Sequence, residues 1–203
     1  KQIIDSVART GADAVKFQTY RTEKRVSKDS PIFDILKKCE LPFEAFKELQ
    51  LYSKRLNIDF FSTPFDIESV DYLESINVDL YKIASFEITD IPLIKYVASK
   101  QKPVIISTGI ATIEDIELAI KTCKAQGNND ITILKCTSAY PAEPEDANLL
   151  TIPDIVNRFK VKSGLSDHTL GTEAPVVAVA LGATVIEKHF ILDKSIGGAD
   201  AHF

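Results

Sequence analysis

The chain has 203 residues, 45% of them hydrophobic and 26% charged, with a formal net charge of −5. That length supports one sizeable core without a disulfide or structural metal. Lysines scattered among acids give no clustered basic face, which argues against a nucleic-acid partner, and no apolar run approaches the ~20 residues of a membrane helix.

Residues 1–11 pattern as an amphipathic helix, and Asp5 and Arg9 interrupt any apolar stretch of a signal peptide. Seven short runs of β-branched and aromatic residues follow, at 14–17, 59–62, 80–83, 104–107, 131–136, 162–165 and 184–188. Each is too short for a helix and reads as a strand. Between them apolar residues recur at helical spacing, as in Ile113, Ile116, Leu118, Ala119 and Ile120. Thr112-Ile113-Glu114-Asp115 puts a hydroxyl before two acids, a helix start. Cys39, Cys123 and Cys136 form no C-x-x-C pair and cannot all be bridged. Each reads as a small core filler, in keeping with a reducing cytoplasm.

Strict alternation of strands and helices predicts a parallel sheet with right-handed crossovers. Seven strands behind an initial helix predict an α/β chain of the (β/α)8 TIM-barrel type, forming one domain, whose first strand lies upstream of residue 1. An open doubly wound sheet is the competing architecture. It expects a glycine-rich phosphate loop, and the chain has no G-x-G-x-x-G.

The C-terminal strand ends, where such barrels carry their chemistry, are unusually polar. They hold Lys16 and Gln18; Ser62 and Thr63; Lys82, Ser85 and Glu87; Ser107 and Thr108; Lys135, Thr137 and Ser138; Ser166, Asp167 and His168; Glu187, Lys188 and His189. Burying so many polar groups is costly unless they meet ligands or one another. His168 and His189 end consecutive strands and could converge on one divalent metal, with water and substrate completing its shell; a pair of ordinary hydrogen-bonded histidines is the alternative. Lys16, Lys82 and Lys135 beside Ser85, Ser107 and Ser138 would make a cationic, hydroxyl-lined pocket for a phosphate or carboxylate. His202 reads as a loop residue.

The motifs resemble those of the sialic acid synthase family, nearly end to end. They are residues 11–20 (GADAVKFQTY), 61–65 (FSTPF), 81–85 (YKIAS), 107–109 (STG), 135–141 (KCTSAYP), 164–169 (GLSDHT) and 187–190 (EKHF). The resemblance implies condensation of phosphoenolpyruvate with an N-acylated amino sugar, giving a nine-carbon 2-keto sugar acid and phosphate, with manganese or magnesium. It implies His168 and His189 as metal ligands, with Lys16, Ser85, Ser107 and Ser166 holding phosphoenolpyruvate. Asp200, in Gly197-Gly198-Ala199-Asp200, would contact the open-chain sugar, and Glu187 and Asp200 are candidates to take the proton from water.

N-acetylmannosamine is the expected sugar. Residues 82–87 and 197–200 look nearer the pseudaminic acid synthases, and 35–41 nearer the N-acetylneuraminate or legionaminate branches. The chain departs from the family in lacking its first strand, in a short 26–33 loop, and in lacking the small C-terminal antifreeze-like domain that reaches over a partner's site. This predicts a homodimer for the full-length protein and weak or no activity for the chain alone. Two other readings stand beside this one: a metal-free aldolase with a Schiff base on Lys135, and a non-catalytic sugar-binding barrel.

Overall fold

The computed structural model describes residues 1–196. They fall into two compact units: Lys1–Lys82 with the segment that starts at Phe190, and Ile83–His189.

The first unit opens with helix α1 (Gln2–Thr10), which stops at Gly11, whose φ of 83° is left-handed. There follow strand β1 (Ala14–Thr19), the short helices α2 (Thr22–Arg25) and α3 (Phe33–Cys39), helix α4 (Phe43–Arg55), strand β2 (Asp59–Pro64), helix α5 (Ile67–Ser75) and the start of strand β3 (Tyr81–Ile83). The strands are parallel: Ala14 faces Asp59 through to Thr19 facing Pro64, and Ser62 faces Tyr81. Ile4, Val7, Phe46, Phe60, Val70, Leu73 and Tyr81 are buried as its core. Helix α5 is started by the Asp66 carboxylate, which accepts from Ser69 N at 2.9 Å.

The second unit begins with a 3-10 turn, Ser85–Thr89. It continues through helix α6 (Ile91–Ser99), strand β4 (Val104–Ser107), helix α7 (Ile113–Ala125) and strand β5 (Ile131–Cys136). After a second 3-10 turn come helix α8 (Thr151–Phe159), strand β6 (Lys162–Asp167), helix α9 (Glu173–Ala180) and strand β7 (Ile186–Lys188). Strands β4, β5, β6 and β7 pair in parallel in chain order. Thr112 and Asp115 form the predicted start of α7 as a reciprocal capping box. On the helix side of the sheet, Leu165 packs with Ile152, Ala174 and Ala178.

Gly164 sets the spacing of the last strands. A Cβ there would lie 2.3 Å from the Val185 carbonyl oxygen and 2.7 Å from Leu134 Cδ2. The sheet can close to this distance only around glycine. Thr184 N and Leu165 N bond Ser163 O and Val185 O, so the chain runs beside β6 before β7 begins at Ile186.

Parallel α/β architecture and the seven strands follow the expectation, with starts shifted by one or two residues at β3 and β7. Three side chains do not: Ile113, at the start of α7, is exposed, as are two others. Leu118 is exposed, because the buried stripe of α7 runs through Ile116, Ala119, Ile120 and Cys123. Cys39 is exposed at the end of α3, a helix with no buried residue, while Cys123 and Cys136 are core thiols. Among the described residues no helix is long and apolar enough to cross a membrane.

Candidate active site

Strand periodicity assembles the site in the second unit. Cys136 is in register with Ser166, and Ser166 with Glu187. Side chains alternate along a strand, so these three share a face. Ser138, His168 and His189 stand two positions beyond them, past the strand ends.

Three side chains from two segments, the 3-10 turn and the end of β5, converge on Gly109. Gly109 N donates to Ser85 Oγ at 3.0 Å, and the Ser85 hydroxyl donates to Cys136 Sγ at 3.5 Å. A Cβ on Gly109 would stand 2.1 Å from Ser138 Oγ and 3.0 Å from both Ser85 Oγ and Cys136 Sγ. Ser138 Oγ is buried without a hydrogen-bond partner. A buried hydroxyl in that state costs free energy unless something polar meets it. Ser107 ends β4 buried.

The imidazoles adjoin this cluster. His168 is buried, and its Nδ1 lies 2.7 Å from the Thr137 carbonyl oxygen and 4.0 Å from Cys136 Sγ. A carbonyl only accepts, so Nδ1 carries the proton, and in the neutral ring the lone pair is on Nε2. Burial opposes charging His168, but its bonds to Cys136 and Thr137 and the nearby Glu187 carboxylate raise its pKa on balance. Burial likewise pushes the Cys136 thiol up, and the bonds from His168 and Ser85 outweigh it, leaving the pKa lowered. The His168 and His189 ring centroids are 5.2 Å apart, and the Tyr140 ring lies 4.2 Å from His168 and 5.9 Å from His189. Ser166 donates to Glu187 Oε1 at 3.0 Å.

The second unit thus brings together Ser85, Ser138, Ser166, Glu187, His168 and His189. It does not bring Lys135 to them. Lys135 precedes Cys136 on β5 and points to the opposite face, where its ammonium donates to Cys136 O and Thr137 Oγ1, both at 2.9 Å. Burial holds its pKa below the ordinary lysine value. In the first unit Lys82 is buried and Lys16 half-buried; Lys16 pairs with Phe61 and Gln18 with Thr63, whose buried Oγ1 has no partner. Asp200 and His202 lie outside the described residues. The sequence reading did not single out Gly109, Cys136 or Tyr140 as site residues, although all three stand in the quoted motifs. The period-2 spacing 136/138, 166/168 and 187/189 was the signal that could have grouped them.

Among the described residues no group of three or more His, Cys, Asp and Glu side chains is placed to hold a metal. The donor set on offer is two imidazoles, one of them with its tautomer fixed by a backbone carbonyl. That suits a divalent cation whose remaining positions go to substrate and water.

Known proteins share this arrangement of elements. The chain is 43% identical over 217 residues to pseudaminic acid synthase from Helicobacter pylori, covering 100% of this chain and 64% of that protein. It is 41% identical over 216 residues to N,N'-diacetyllegionaminic acid synthase from Campylobacter jejuni, covering 98% of this chain and 65% of that protein. The chain therefore spans less than two thirds of either relative. The crystal structure of N-acetylneuraminic acid synthetase from Leptospira borgpetersenii superposes with a TM-score of 0.95 at 36% identity, over 99% of this chain and 70% of that one. A sequence model of the NeuB family matches residues 3–203, and the chain belongs to that family.

Proposed function

We propose that the chain forms the catalytic core of an enzyme that condenses phosphoenolpyruvate with an open-chain N-acylated amino sugar, giving a nine-carbon 2-keto sugar acid and phosphate. The observation that carries this reading is the buried, unpartnered Ser138 hydroxyl beside Ser85 and Gly109, one strand end from two imidazoles. It is a small polar recess next to a place for a cation, the pairing such a reaction needs.

In this reading Ser85, Ser107, Ser138 and Ser166 bind the oxygens of phosphoenolpyruvate, and Lys16 and Lys82 are the further candidates to meet its negative charge. Gly109 N fixes the Ser85 oxygen, so its hydroxyl is oriented before substrate arrives. His168 and His189 would hold Mn2+ or Mg2+, which when bound supplies Lewis-acid polarisation of the sugar aldehyde. Glu187, with one oxygen tied to Ser166, is the group at hand to take a proton from the water that adds at carbon 2. Asp200 would contact the sugar. Lys135, bonded on the opposite face, is not needed as a Schiff-base nucleophile.

N-acetylmannosamine and the di-N-acetylated hexoses are the competing sugars; the similarity to pseudaminic and legionaminic acid synthases favours the latter pair. The test is phosphate release from phosphoenolpyruvate by the intact protein with each sugar, with Mn2+ and then with excess chelator. We expect turnover that chelator abolishes and Mn2+ restores. Turnover that persists in chelator would overturn the role of His168 and His189, and none with any of the sugars would leave a binding protein.

A further inference from the structure

Strands β6 and β7 are tied by side chains on both faces in the two rungs before the histidines. On the site face Ser166 bonds Glu187; in the next rung, on the opposite face, Asp167 meets Lys188. Neither Asp167 nor Lys188 touches the hydroxyl cluster, and the reaction as proposed leaves both without a task.

The Asp167 carboxylate, with its side chain 2% exposed, is fully engaged. Its Oδ1 accepts from Thr169 N at 3.0 Å and Thr169 Oγ1 at 2.8 Å, and its Oδ2 accepts from Lys188 Nζ. Lys188 Nζ also donates to the Thr169 carbonyl oxygen at 2.6 Å. The residues on either side of His168 are thus gripped by Lys188, the last residue of β7 and the neighbour of His189. With the Lys188 side chain 39% exposed, the pair contributes little net stability, and this face of β6 already packs Leu165 into an apolar cluster. What the ionic pair adds is direction: it fixes the backbone of 167–169 against 188–189.

We propose that Asp167 and Lys188 are positioning residues that set the separation and ring orientation of His168 and His189 for a shared divalent cation. The inference rests on the metal reading above. Outer partners of metal-binding histidines typically govern about 10–100-fold in affinity.

The experiment replaces Lys188, whose side chain is 39% exposed, by Met, Gln and Arg in the intact protein. Two quantities are read: Mn2+ affinity by calorimetry with the metal alone, and the imidazole tautomers by 15N–1H correlation in metal-free protein. Lys188→Met is expected to weaken Mn2+ binding about tenfold or more and to replace the His168 Nδ1–H signature by a mixture. Lys188→Arg, which keeps charge and donors, is expected to restore both. If Lys188→Met does not fold, Lys188→Gln takes its place. A folded variant with unchanged affinity and unchanged imidazole spectrum would overturn the proposal. Absence of Mn2+ binding by the unsubstituted protein would instead refute the metal reading, and the imidazole spectrum alone would then decide whether the clasp orients the rings.

Discussion

A methyl group at Gly109 would sit 2.1 Å from the Ser138 hydroxyl and 3.0 Å from the Ser85 oxygen and the Cys136 sulfur. The glycine is required by the space around it, since its φ lies outside the left-handed region. Ser138 Oγ can swing aside, so Gly109→Ala should keep the fold while filling the recess. We expect KM for phosphoenolpyruvate to rise about tenfold, equivalent to roughly 1.4 kcal/mol, with the melting temperature little changed. Steady-state kinetics and a thermal melt check both halves. Gly109 was visible in the sequence as part of Ser107-Thr108-Gly109, but which atoms close on it depends on two other segments. Lys135 and Cys136 teach the converse. Both stand at the end of β5, and period-2 alternation sends the thiol into the site and the lysine away from it.

Glu40 clips two short helices together. Its carboxylate accepts from Thr22 N at 2.9 Å and Thr22 Oγ1 at 2.7 Å at the start of α2, and from Lys37 of α3 at 3.0 Å. Burial alone would raise its pKa, but the Thr22 bonds and Lys37 bring it from the ordinary 4.5 to about 2. A depressed folded-state pKa gives stability that is full above the unfolded value and lost as pH falls through the folded one. Melting temperature should therefore decline as pH drops from 4.5 towards 2. Glu40→Gln should lower it at neutral pH and narrow the gap to the unsubstituted chain across that window. The elements themselves were legible because β-branched runs and apolar periodicity carry strand and helix independently of tertiary contact. The Glu40 clip and the Asp167–Lys188 pair were not, since their partners lie on other elements. The placement of the exposed Leu118 and Cys39 was decided by packing that the local pattern does not encode.

At the scale of the whole chain, seven strands and their parallel pairing within each unit followed from alternation, and the family from motifs spread over almost every strand end. The two compact units were not legible, because nothing in composition marks the change within β3. The strands of the second unit are also unequal. Five of the six residues of β5 are buried, whereas β7 has three residues, none of them buried, and stands last in the strand order. Local opening follows such differences in burial. In the 203-residue chain by itself, deuterium uptake should therefore be faster at 186–189, which carries Glu187 and His189, than at 131–136. Occupancy of the site by phosphoenolpyruvate and Mn2+ should slow uptake at 186–189 selectively, a change that mass spectrometry of the exchanged peptides would register. The strand that completes the chemistry would then double as a reporter of whether the site is filled.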